Sequence, residues 1–404
     1  MWAMLNGSFL ASRGAIFPAL KLSGFSDQEA RRSWAAFRYG QWSIAKLLNA
    51  WREHVSSEAQ WQAHQYEGYR PVAADLTGFF RPRLKGWFGQ IYHGLAGKAL
   101  CGIGLGLIGE VGSLAEQRFL LPRKFLRSPN ERGSIKQLKA AVLSWLALQL
   151  QACEIAILDA GFRLRELHEA SVSQFVLRVA SNATARRNRL PVYQGRGARP
   201  KYGQLIRPLA RTPKGKHLAA SQPDEVSCFE HQGRTIQVHS WHNLVRSDQP
   251  VSQDHASFRL MVFFDPLYQQ PLVLAVSLSL QPRSVYLLYK DRWTVEHPPL
   301  VAKQLLGLTP AFVFSPDSVW RFPELALLAG NILTYLAATL AAMPSGFGDR
   351  SPKKTLGRLR RALAKADFPK LEGFCPQLRI KQSVTSHLPK GIEANRRQKH
   401  QLRL

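Results

Sequence analysis

The chain has 404 residues, 45% apolar and 10% aromatic, enough to bury a sizeable core in two or three units and too apolar for a disordered chain. Lysine and arginine number 55 against 27 acids, and a formal charge of +28 repels itself unless a polyanion offsets it, nucleic acid before an anionic membrane. Cys101, Cys153, Cys228 and Cys375 stand far apart with no CxxC pair, which speaks for a reducing compartment and against a zinc site.

The first residues, MWAMLNGSFLASRGAIFPALKLSG, lack a basic start followed by an uninterrupted apolar run, so no signal peptide is expected. From Ser26, the stretch SDQEARRSWAAFRYGQWSIAKLLNAWREHVSSE carries apolar residues at helical spacing, with Ser26 as an N-cap. Its alternating arginines and tryptophans suit a DNA-binding helical region over 1–65 as well as an ordinary amphipathic pair.

Short apolar runs then predict strands at Tyr69 to Asp75, Ala99 to Gly109, Glu154 to Asp159 and Gln174 to Val179, with a helix from Ser134 to Ala152. That order predicts an α/β core with a mixed sheet, its first part spanning 66–185. The run Gly104-Leu105-Gly106-Leu107-Ile108-Gly109 fits the dinucleotide pattern GxGxxG, but no helix clearly follows it, and a buried glycine-rich strand is the better reading.

Residues 186–283 read as a basic loop followed by a β-rich insertion. From Arg186 to Lys216 there are ten basic residues and no acid, Arg196, Arg199 and Lys201 among them, suited to phosphate contacts. Four β-like runs follow, from Glu225, Arg234, Ser257 and Pro271. Residues 284–345 complete the core. The uncharged LALLAGNILTYLAATLAAM, Leu325 to Met343, is long enough to span a membrane, but its small and polar residues predict a buried core helix. The tail 346–404 is basic, with 14 basic and 3 acidic residues from 351 onward.

The stretch LYKDRWTVEHPPLVAK places Tyr289, Arg292, Glu296 and Lys303 within about 60° of one another on an unbroken helix. Pro298 and Pro299 disfavour helix just before them, so two helical segments are the alternative. Asp75 and Asp159, each expected to end a strand, join Glu296 as carboxylates placed for metal-assisted phosphoryl chemistry. An aspartate at a strand end is, taken alone, more often a turn former.

Together these residues resemble the DDE transposases of bacterial insertion sequences, whose signature Y-(2)-R-(3)-E-(6)-K is met by Tyr289, Arg292, Glu296 and Lys303. The separations, 84 residues from Asp75 to Asp159 and 137 from there to Glu296, suit that family. The resemblance covers roughly 30–345. It implies an RNase H-like catalytic core interrupted by the β-rich insertion, with Asp75, Asp159 and Glu296 holding two Mg²⁺ or Mn²⁺ ions. It implies that Tyr289, Arg292 and Lys303 grip phosphates of the transposon end.

The implied reaction is strand cleavage at terminal inverted repeats, then 3′-hydroxyl transfer into target DNA. The implied setting is a homodimer on double-stranded DNA in the bacterial cytoplasm, at the nucleoid and away from membrane. Some relatives flip a base onto an aromatic of the insertion, a place that Trp241 or Tyr268 could take, but their spacing selects neither and a packed strand aromatic is the commoner reading. The chain has Ala74 and Leu76 where many relatives carry a second acid beside Asp75. A catalytically silent, DNA-binding relative is therefore the rival expectation.

Overall fold

A computed structural model describes residues 1–366, except 82, 95, 196, 309–312 and 347. Residues Met1–Ala366 form one compact unit. Helices α1 (Trp2–Leu5), α2 (Ser8–Ala11), α3 (Ile16–Leu22), α4 (Asp27–Tyr39) and α5 (Ile44–Ser56) open the chain. Strands β1 (Trp61–Ala63), β2 (Arg70–Phe80), β3 (Gln90–His93), β4 (Lys98–Leu114) and β5 (Gln117–Arg127) follow, then α6 (Ser134–Gln149), β6 (Glu154–Leu158), α7 (Leu164–Glu169) and β7 (Phe175–Arg178). The insertion supplies β8 (Ala185–Arg187), β9 (Leu205–Ile206), β10 (Glu225–His231), β11 (Arg234–Arg246), β12 (Phe258–Phe264) and β13 (Leu272–Val276). Last come α8 (Pro282–Asp291), a 3-10 turn over Arg292–Glu296, α9 (His297–Gln304), α10 (Pro316–Thr339) and α11 (Leu356–Leu363).

The protein is mixed α/β. Its strands join in one mixed sheet, with the order β1-β4-β2-β6-β7-β13-β12-β11-β8-β9, while β3 and β5 pair with β4 and β10 with β11. Among the described residues, only β2 with β6 and β6 with β7 run parallel; the other pairings are antiparallel. The β-rich insertion is thus no separate lobe, since β13 pairs with β7 and extends the central sheet.

Alternation along the strands divides the core into faces. Val72 and Ala74 of β2, with Ala156 and Leu158 of β6, pack under α6. Ala73 turns the other way, into the core filled by α10, while Ile157 turns to that same side under α8. The GxGxxG run is the middle of β4, and its glycines admit a close neighbour: a Cβ on Gly106 would lie 2.5 Å from Val142 Cγ2 of α6. The expected buried helix is α10, which begins earlier than predicted, at Pro316. It is the one described helix long and apolar enough to cross a membrane, and most of it is buried in the core.

The N-terminal helices belong to that same core. Ser26 caps α4 in a reciprocal box with Glu29, as the sequence suggests. At the other end of α4, Arg321 of α10 donates to the carbonyls of Phe37, Arg38 and Gly40, satisfying groups a helix end leaves open. Phe9, Leu20 and Leu48 join the cluster built on α10. On the sheet, Arg123 of β5 reaches Glu110 of β4 at 2.7 Å and Glu154 of β6 at 2.6 Å, tying three strands together.

Candidate active site

The two aspartates come level through strand register. β2 and β6 pair Arg70 with Glu154 through Ala73 with Ile157, an offset that sets Asp75 opposite Asp159 two residues further on. Asp159 follows the last residue of β6, as expected. Asp75 does not end its strand: β2 continues to Phe80 because β4 keeps pairing with it through Phe80↔Gly102 after β6 has stopped. Asp75 therefore sits where the parallel neighbour ends and one flank of β2 opens. Both side chains share the parity of Ala73 and Ile157, so both point away from α6, toward the face that α8, the 3-10 turn and α9 cover.

The signature stretch is not one helix. α8 stops at Asp291, the 3-10 turn carries Arg292 to Glu296, and α9 restarts at His297 with proline in its first turn, where the missing N–H costs nothing. The two segments nevertheless converge. Asp75, Thr77, Glu296, Leu300 and Lys303 line one pocket of about 230 Å³, and Lys303 Nζ donates to Thr77 Oγ1 at 3.0 Å.

Arg292 lies at the centre, and only 1% of it is exposed. Its Nη2 meets Glu296 Oε1 at 2.7 Å, and its Nη1 stands 3.7 Å from Asp75 Oδ2 and 3.9 Å from Asp159 Oδ2. Tyr289, 4% exposed, donates to Asp159 Oδ1 at 3.1 Å. The resemblance implies phosphate contacts for both residues; in this structure both face the carboxylates. Lys303, in the pocket, and Arg199 and Lys201, both exposed, remain at solvent-reaching positions, whereas Arg196 lies outside the described residues.

The local field follows from this burial. Desolvation raises the Asp75 pKa to about 6, against the Leu76 N–H and Arg292, while the charges of Glu296 and Asp159 push the same way as burial. Burial, with Asp159 beside it, pushes the Tyr289 phenol up to about 12. For Arg292, burial works against its charge, but Tyr289, Asp159 and Glu296 outweigh it and keep the pKa above the ordinary value. Burial lowers Lys303, and Asp75 partly restores it.

Arg292 is held imperfectly. Its Nε and Nη1 are buried without a hydrogen-bond partner, a condition that costs about 1–3 kcal/mol per group. Among the described residues no group of three histidine, cysteine, aspartate or glutamate side chains is placed to hold a metal ion. The guanidinium stands among the three carboxylates instead.

Sequence reasoning missed the support behind the site. Asp291, wholly buried, accepts from Tyr66 Oη at 2.8 Å and pairs with His64 Nδ1 at 2.7 Å, with Arg118 Nε at 3.1 Å from its other oxygen. Asp291 was visible inside the signature stretch as the residue before Arg292, but nothing near it in sequence names its partners. Of the two candidate aromatics, Trp241 is fully buried and donates to the Gln222 carbonyl, the packed strand aromatic that is the commoner reading. Tyr268 is half-exposed, with its hydroxyl accepting from Lys290.

Fold and site together define a mixed α/β protein with three carboxylates gathered around one buried arginine in a basic chain. Comparison of the chain with protein-family models finds no match, and comparison with curated proteins finds none either.

Proposed function

We propose that the chain is a DDE-type DNA transposase on an RNase H-like core, cutting strands at transposon ends and joining the freed 3′-hydroxyl to target DNA. The observation that carries the reading is the convergence of Asp75, Asp159 and Glu296 around Arg292, with Tyr289 on Asp159 and Lys303 in the pocket beside Asp75 and Glu296. The strand order β5-β4-β2-β6-β7 supports the fold part of it, three antiparallel strands, with the short β3 between two of them in the chain, followed by two parallel ones reached through helices. The charge of +28 supplies the means of holding duplex DNA, terminal repeats and target alike, as a dimer on the DNA and at the bacterial nucleoid.

Such a reaction calls for two Mg²⁺ or Mn²⁺ ions. Three carboxylates are suitable hard oxygen donors. Their present arrangement does not fit a metal, because Arg292 stands among them. What the chain's own residues contribute is positional: Lys303 brings a cation into the pocket beside Asp75, and Thr77 holds it there. Around them the basic surface orients phosphates without reading bases.

Asp75→Ala, Asp159→Ala and Glu296→Ala should each reduce strand cleavage of a supercoiled plasmid carrying the element's own ends by at least about 10³-fold. Duplex binding, measured by fluorescence anisotropy, should stay within a few-fold of the unchanged chain. Cleavage that survives any of the three at a comparable rate sinks the reading. A second reading, a catalytically silent relative that only binds DNA, draws on the place of Arg292 in the cluster and predicts no nicks at the ends under any divalent ion.

A further inference from the structure

We propose that the paired segments 189–195 and 197–201 form a finger that enters the major groove of duplex DNA and sets Val192 against the 5-methyl groups of thymine. The inference rests on the chain holding duplex DNA, as proposed above, and adds to that reading a contact that tells one base from another. The finger is anchored at its base. β8 pairs with β9 through Ala185↔Ile206 and Arg186↔Leu205, and the Arg187 N–H donates to the Gln204 carbonyl. Its two limbs stay together beyond that ladder. Gly203 lies so close to the carbonyls of Arg187 and Arg189 that no Cβ fits there, and the Arg186 guanidinium stands 5.0 Å from the Tyr202 ring. Nearer the tip, Tyr193 Oη donates to the Gly197 carbonyl at 2.7 Å, and the Arg199 guanidinium stands 5.9 Å from the Tyr193 ring.

Two chain limbs held side by side are too wide for the minor groove, about 6 Å across, and match the major groove, about 12 Å across. What the finger carries suits that place. Tyr193 is committed to Gly197 and Arg199, which leaves Leu190 and Val192, 46% and 89% exposed, as the apolar tip. Arg189, Arg199 and Lys201 are exposed along the limbs, and no acid occurs from Arg186 to Lys216. The cations therefore meet the phosphates that border the groove while the tip faces base edges. Two aliphatic side chains are too few to hold a membrane surface, which takes a long apolar face. A thymine methyl, by contrast, offers an apolar contact of just that size.

The test titrates the full-length chain, by fluorescence anisotropy, with an alternating A·T duplex and with the same duplex carrying deoxyuridine for thymine, which removes only the methyl groups. The uracil duplex should bind about fourfold more weakly, the worth of about one buried methyl group. Leu190→Ser with Val192→Ser should bind both duplexes alike, at an unchanged slope of log K against log salt, because the phosphate contacts remain. Netropsin, which fills the minor groove, should not displace the chain. Equal affinity of the unchanged chain for the two duplexes, or its displacement by netropsin, overturns the major-groove contact and leaves the DNA reading in place. Binding to phosphatidylserine vesicles that the double variant loses, with the two duplexes bound alike, assigns the tip to a membrane instead. Failure to bind either duplex overturns the inference together with the DNA-binding function.

Discussion

Asp75 is where the site and the stability of the fold conflict. Its carboxyl is desolvated on the covered face of β2, and its pKa of about 6 lies above the ordinary 3.8. A raised folded-state pKa means that folding favours the protonated form, so the stabilising contribution is complete below about pH 4 and is lost as pH rises through about 6. At pH 8 the charged form is the destabilising one. Asp75→Asn keeps the size and an oxygen that accepts the Leu76 N–H, now 2.7 Å away, and removes the charge. It should stabilise the chain at pH 8 by about 1–2 kcal/mol, a figure discounted for screening through the partly open cleft, and the gain should vanish near pH 4. Urea midpoints of the two chains across that range check this, and a variant less stable than the parent at pH 8 would mean that Arg292 outweighs desolvation.

At the scale of elements, the signature stretch is held by what lies behind it. Asp291 ends α8 and is tied to His64 and Tyr66, from the connection between β1 and β2, and to Arg118 of β5. Ser113 Oγ is 2.7 Å from His64 Nε2, giving the sequence of a nucleophile, a base and an acid. Ser113, however, sits inside β4 with β1 paired on one side and β5 on the other, so the local backbone N–H groups serve the ladder. The three are an anchor. Asp291→Ala leaves buried donors unmatched and should cost about 3 kcal/mol in urea unfolding, whereas Tyr66→Phe should cost about 1 kcal/mol. Comparable small losses from both would show the anchor to be slack. None of this was legible in the sequence, because the partners of Asp291 lie 227 and 225 residues away in the chain. The buried strands β6 and β7 were legible, since a strand covered on both faces reads as a continuous apolar run. β5 was not. Its sequence QRFLLPRKFLR carries charges and a proline, and the register slips between Ile108 and Gly109 of β4, leaving Arg123 as the extra residue that turns to Glu110 and Glu154. The signature spacing singles out four residues, of which Glu296 and Lys303 line the pocket while Tyr289 and Arg292 are buried beside it, directions that depend on the break at Asp291 and on the charge of the aspartates from two other strands.

For the whole molecule, the proposed function asks where a charge of +28 would meet DNA. Part of the basic insertion is spent on the fold: Arg186 donates to the carbonyls of Ser247 and Gly203, Arg211 to that of Asn182, and Arg187 pairs with Asp224. Arg199 and Lys201 stay exposed. Residues 367–404, outside the described structure, hold eight basic and three acidic residues. α11 ends before them, with Leu359 buried and Arg358 2.9 Å from Asp349, so a chain ending at Ala366 retains the whole compact unit and should unfold at the same urea concentration as the full chain. Its affinity for a duplex should nevertheless fall. Each phosphate contact contributes about 0.9 to the slope of log K against log salt, so the truncated chain should show a slope shallower by about 2 to 4. Arg199→Glu with Lys201→Glu, in the full chain, should flatten it by about 2. Anisotropy titrations over a series of KCl concentrations read both. If the tail makes the phosphate contacts, its loss weakens all duplexes alike, because phosphates carry no sequence. A loss confined to one duplex sequence would instead place base-reading side chains in 367–404, and an unchanged slope would leave the tail out of DNA binding altogether.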